Sequence, residues 1–151
     1  MRHFKKHLMA VLLLVLGFTS TVWAANQDFD AGLADYNRSD WDGAITNFSK
    51  SIVAGFDLYD SYSYRAFSEA EKGQSNAAIT DCNEVIKLNV NNAGGYYWRS
   101  LLEMDLTNYS AALTDFEMGV RLGPRDRPQD LVDDLSSYYA SRAAREFRRE
   151  I

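Results

Sequence analysis

The feature that most constrains this sequence is that it repeats. Cut into 25–58, 59–92 and 93–126, it yields three stretches of 34 residues that align without a gap. A unit this short cannot enclose its own apolar face, so it must bury that face against copies of itself. Repetition at this period therefore restricts the chain to a stack of small supersecondary units, and what remains is to read what each unit is made of.

The most regular column is Ala44-Ile45-Thr46-Asn47-Phe48, matched by Ala78-Ile79-Thr80-Asp81-Cys82 and Ala112-Leu113-Thr114-Asp115-Phe116. A small residue followed by apolar residues at helical spacing marks the second helix of a hairpin. Ala lets two helices approach closely, while Ile45, Phe48 and Ile52, with Ile79, Cys82, Ile86 and Leu113, Phe116, Val120, form one apolar stripe. Ahead of each stripe stands a turn, Ser39-Asp40-Trp41, Gly73-Gln74-Ser75 and Thr107-Asn108-Tyr109, where Gly or short polar side chains end one helix and cap the next. Trp41 and Tyr109 are expected to cover the hairpin corners. The preceding helices carry Leu33 and Tyr36, then Tyr62, Ala66 and Phe67, then Tyr96, Leu101 and Met104. Charges follow the same register: Arg65 and Arg99 in first helices are each followed 16 residues later by Asp81 and Asp115, and where Ala31 replaces Arg, Asn47 replaces Asp. The register predicts an ion pair bracing each of the last two hairpins, with the planar guanidinium gripping a carboxylate by two bonds.

With this period and these columns, residues 25–126 resemble the tetratricopeptide repeat (TPR) family. The family's small residue in the first helix falls on Gly32, Ala66 and Ser100, its Ala in the second helix on Ala44, Ala78 and Ala112, and its large residue one turn on falls on Phe48, Cys82 and Phe116. The closing proline appears only as Pro124, with Phe56 and Val90 in its earlier places. The resemblance implies an all-α fold, a right-handed α-solenoid of three TPR hairpins at 25–58, 59–92 and 93–126. A C-terminal capping helix at 127–151 is expected to begin near Pro128, in its first turn, and to carry Val132, Leu135, Tyr139, Ala143 and Phe147 as its apolar stripe. Seven helices are expected in all.

The chain ends bear on where it works. Arg2, Lys5 and Lys6 precede an apolar stretch from Leu8 to Phe18, followed by small residues around Ala24. That is the form of a signal peptide over 1–24, too short in its apolar part to span a bilayer, and it predicts a periplasmic or secreted protein after cleavage near Ala24. Removing it leaves 13 basic against 21 acidic residues. This balance disfavours nucleic acid, and no membrane contact is expected beyond the signal segment. Arg142, Arg145, Arg148 and Arg149 make the C-terminus a basic tip whose role is open.

Catalytic chemistry finds no footing. Both histidines, His3 and His7, lie in the signal segment, Cys82 is the one cysteine, and there is no Gly-rich phosphate loop or metal-ligand spacing. No enzyme activity, cofactor or metal is expected. The family resemblance instead implies a scaffold whose concave wall, made by the first helices, binds a peptide or helix segment of another protein. It places Phe29, Leu33, Tyr36 and Asn37, then Asp60, Ser63, Phe67 and Glu71, then Tyr97, Leu101, Met104 and Asp105 on that wall. Family members that clamp acidic C-termini use Lys and Asn there. The matching places here hold Phe29, Ser63 and Tyr97 or Leu33, Phe67 and Leu101, so an apolar or mildly basic segment suits the wall better. The alternative is a structural subunit of an envelope complex that uses its outer faces and basic tip, and self-association through an end face is open to a stack this short.

Overall fold

Short polar turns set the helix boundaries. In a computed structural model, which describes residues 23–123, the regular elements among those residues are all α-helices: α1 spans 23–37, α2 Trp41–Val53, α3 Leu58–Glu71, α4 Ser75–Leu88, α5 Ala93–Asp105 and α6 Tyr109–Leu122. Helices α2, α4 and α6 begin at residues 34 apart. Of the seven helices expected, six fall in this range. The seventh, at 127–151, and all of the signal segment ahead of Trp23 lie outside the described residues.

The turn before each of these three helices is built alike. Ser39, Gly73 and Thr107 adopt left-handed backbone, with φ of 58°, 72° and 62°. The Ser39 N–H donates to the Tyr36 carbonyl and the Asp40 N–H to that of Asp35, while Thr107 and Asn108 donate to Met104 and Glu103. Both are Schellman closures, in which two amides past the helix end satisfy its last carbonyls. Only Gly73 adopts this conformation without a Cβ penalty. Asp40 then caps α2 by accepting from the Gly43 N–H at 3.1 Å, and Asn92 caps α5 by accepting from the Gly94 N–H at 2.8 Å.

The chain divides into two compact units after Gly73. In the first, α1 and α2 form a hairpin and α3 packs on it. Phe48 is fully buried and rests on Gly32, where an added Cβ would lie 2.8 Å from the ring. Tyr64 of α3 stacks on Phe48 at 5.4 Å, and Phe29 meets Phe48, Phe56 and Tyr64 edge-on. Such pairs each add about 0.5–1.5 kcal/mol beyond burial, so this cluster dominates the unit. The turn from α2 to α3 is pinned at Phe56, which stands in the family's proline position. Its carbonyl accepts from the hydroxyls of Ser51 at 3.0 Å and Ser61 at 3.1 Å, both fully buried.

In the second unit, α4, α5 and α6 pack around a different ring. Tyr97 is 2% exposed and lies on Gly119, where an added Cβ would be 2.6 Å from the ring. Its hydroxyl donates to the Gly123 carbonyl at 3.2 Å, which ties α5 to the end of α6. Gly95 lets α5 approach Ile86 of α4, and the Ser100 hydroxyl donates to the Ala112 carbonyl at 2.8 Å. Ala44, Ala78 and Ala112 are all 0% exposed, so the Ala column is the close-contact position in both units.

Candidate functional site

The helix spacing of α3 puts Asp60, Ser63, Phe67 and Glu71 on one stripe, at intervals of three and four residues. The first unit lays this stripe beside α1. The Tyr36 ring meets Phe67 at 5.2 Å and Tyr64 at 5.0 Å, and Trp41, at the start of α2, meets Tyr36 at 5.8 Å and Phe67 at 5.9 Å. Leu33, one turn before Tyr36, packs on the same core. Leu33, Tyr36, Trp41, Ser63 and Phe67 are all half-buried, whereas Asn37 and Glu71 are exposed. The result is an α1/α3 face with a floor of rings and polar groups at its margins.

The electrostatics of the face are acidic. Residues 23–73 contain nine acidic and four basic side chains. Burial, followed by the nearby Tyr64 and Glu71, pushes the Tyr36 phenol above its ordinary pKa. Burial, followed by repulsion from Asp57, likewise raises the Asp60 carboxyl. The basic side chains near the Tyr36 end are already engaged: Arg38 pairs with Asp35 at 2.5 Å, and Lys72 pairs with Asp42. Neither Asp60 nor Glu71 belongs to an ion pair among the described residues.

Two expected wall residues are corrected by their burial. Phe29, 9% exposed, and Tyr97, 2% exposed, are core side chains of their units rather than surface for a guest. The Tyr97 ring fills the slot at Gly119 and the Phe29 ring packs among Phe48, Phe56 and Tyr64, and the packing gained there exceeds what an open face offers. Leu101 and Met104 pack half-buried against Tyr97, and Asp105 is exposed at the end of α5. In the first unit a ring contact joins Tyr36 to Phe67, with Leu33 one turn before Tyr36 and Asn37 next to it on α1, and with Asp60, Ser63 and Glu71 on the stripe of Phe67 on α3. Trp41 joins them unannounced by the sequence, which put it only at a hairpin corner; its signal is its place one residue after the capping Asp40.

Among its described residues, the second unit holds a polar cluster around Arg99. Arg99 donates from Nε and Nη2 to the two Asp115 oxygens, each at 2.6 Å, and from Nη1 to Asn83 at 2.6 Å, and its guanidinium lies 5.7 Å from the Tyr96 ring. The hydrogen bond to Asp115 raises the Arg99 pKa further, outweighing burial. Arg65 repeats part of this pattern: it donates to the Ser49 hydroxyl 16 residues earlier at 2.9 Å and lies 5.5 Å from Tyr62. A cleft of about 280 Å³ is lined in part by Asn83, Arg99, Glu103 and Asp115. Its polar groups satisfy one another, with Glu103 accepting from Asn108 at 2.6 Å, which is the chemistry of a brace rather than of a reaction centre. Among the described residues no group of three or more His, Cys, Asp or Glu side chains could hold a metal, and no helix is long and apolar enough to cross a membrane.

Known proteins bear on the fold. The first TPR of Spaghetti (RPAP3), solved with the HSP90 peptide SRMEEVD, superimposes with a TM-score of 0.70 at 22% identity, over 81% of this chain and 95% of that one. The chain has the tetratricopeptide-repeat fold. The TPR2B domain of yeast Sti1 in its pHsp70 complex gives 0.65 at 20% identity, over 80% and 97% of the two chains. The Hsp90 co-chaperone Cns1 from Saccharomyces cerevisiae gives 0.77 at 18% identity over 86% of this chain, which spans 44% of Cns1. No family model matches the sequence, and no curated protein does.

Proposed function

We propose that this TPR chain is a non-catalytic protein-interaction module that is exported and takes a peptide or helix segment of a partner protein on its α1/α3 face. The observation that carries the reading is the Tyr36–Phe67 contact, which joins two helix stripes into one half-exposed aromatic surface with polar margins. Rings that are fixed by their neighbours offer contact area with little entropy to lose, the property of interface anchors. Solved TPR domains of the same fold hold partners, among them the HSP90 peptide SRMEEVD on RPAP3 and pHsp70 on Sti1. The acidic end of SRMEEVD would meet Asp60 and Glu71 here, so the partner segment differs from that one in charge. Export is supported by the N-terminal sequence, with its basic start, short apolar stretch and small residues around Ala24.

The mature chain, residues 25–151, immobilised and exposed to a periplasmic extract of the bacterium that makes it, should retain a partner that Phe67→Ala releases while far-UV circular dichroism stays unchanged. Retention indifferent to Phe67→Ala would refute the assignment of the face. N-terminal sequencing of the exported protein should begin at Ala25, and an intact Met1 would refute cleavage.

A further inference from the structure

We infer that the α1/α3 face selects a segment bearing two cationic side chains, Lys or Arg, about four residues apart and separated by aliphatic residues. The inference rests on the interaction reading above and adds to it the chemistry of the guest. Asp60 and Glu71 stand at the two ends of the α3 stripe, with Ser63 and Phe67 between them. Eleven residues of helix separate the two carboxylates by about 16 Å. An extended chain rises about 3.3 Å per residue and turns every second side chain to one face, so residues about four apart face the wall together, about 13 Å from each other, and the long stems of Lys or Arg reach the remainder. The middle of the guest then lies over Phe67 and Tyr36, which meet at 5.2 Å, and aliphatic side chains cover such rings best.

The charges favour a cation at each end. Arg38 and Lys72, the bases beside the Tyr36 end, are each taken up by a carboxylate, Asp35 and Asp42 respectively. Glu71 remains exposed, one turn from Phe67. The Tyr36 phenol, whose pKa Glu71 helps to raise, adds a neutral oxygen and a ring face to the same corner, a setting that attracts ammonium and guanidinium groups. At the other end Asp60 is half-buried and repelled by Asp57, and a cation placed there relieves both costs of its ionised form.

An array of immobilised pentapeptides tests this, with Lys, Gln or Glu at the first and fifth positions and Leu, Met, Ser or Ala between. The mature chain should be retained best by peptides with Lys at both ends. Exposed charge pairs contribute up to about 1 kcal/mol, so Glu71→Gln or Asp60→Asn should each lower that retention about two- to five-fold. Peptides with Gln at both ends should be indifferent to either substitution. Equal or stronger retention by Gln or Glu peptides, or retention of Lys peptides unchanged by both variants, would overturn the inference while leaving the interaction reading standing. Retention by no peptide of any composition would overturn the inference, and the interaction reading then stands or falls on the extract retention of the Phe67→Ala variant.

Discussion

Arg99 links three helices of one unit, and its removal tests whether the register of charges in the sequence is a real brace. The guanidinium makes two 2.6 Å bonds to Asp115, a third to Asn83 and a ring contact with Tyr96. The side chains of Arg99 and Asp115 are 23% and 10% exposed, between a surface pair and a fully buried one. Surface pairs contribute about 0–1 kcal/mol, and breaking a buried pair costs about 3–5 kcal/mol. A coupling of about 1–2 kcal/mol is therefore expected, with Asp115→Ala costing about 1–2 kcal/mol. Arg99→Ala should cost more, about 2–3 kcal/mol, because it also loses Asn83 and Tyr96 and strands the more buried member of the pair. Urea denaturation of the mature chain, followed by circular dichroism, gives all four corners of the cycle. Additivity within about 0.3 kcal/mol, or a larger loss for Asp115→Ala than for Arg99→Ala, would refute the brace.

Other expectations follow from the packing and the turns. Gly119→Ala places a Cβ 2.6 Å from a Tyr97 ring that is held at its far end by Gly123, so it should cost about 1–3 kcal/mol and lower Tm by several degrees in calorimetry. A Tm within one degree of wild type, by this ~1 kcal/mol scale, would show that the ring moves aside freely. Asp60→Asn should stabilise the chain at neutral pH. Because the folded pKa of Asp60 is raised, ionisation weakens the fold as pH climbs above the ordinary carboxylate value of about 4, and below that value the difference between variant and wild type should vanish. An equal gain at both pH values, or a loss at neutral pH, would contradict the burial and Asp57 repulsion assigned to it. Thr107→Gly should slow unfolding or raise stability by a few tenths of a kcal/mol to about 1 kcal/mol, since it removes a β-branched residue from left-handed backbone; destabilisation would mean that the Thr107 side chain makes compensating contacts.

Much of this molecule was legible in its sequence because the repeat is a local code. The 34-residue period, the polar turns and the Ala column each depend on residues close in the chain, and the helices that begin at Trp41, Ser75 and Tyr109 follow from them. The Arg99–Asp115 pair was legible too, since two helices of one hairpin hold a fixed register 16 residues apart. Arg65 follows the same register, since its bond to Ser49 matches the Arg99 bond to Asn83, each 16 residues back toward the preceding helix.

Which rings are core and which are surface was decided only by tertiary structure. Phe29 and Phe67 look alike on a helical wheel, yet Phe29 fills the cluster over Phe48 while Phe67 stays half-exposed beside Tyr36 and Trp41. Tyr97 sinks because Gly119, 22 residues later on another helix, leaves a slot that any side chain would close. A period fixes which positions face a neighbouring helix, but the depth of each side chain is set by the volume of what that neighbour places opposite it, and that is a property of pairs of residues distant in the chain.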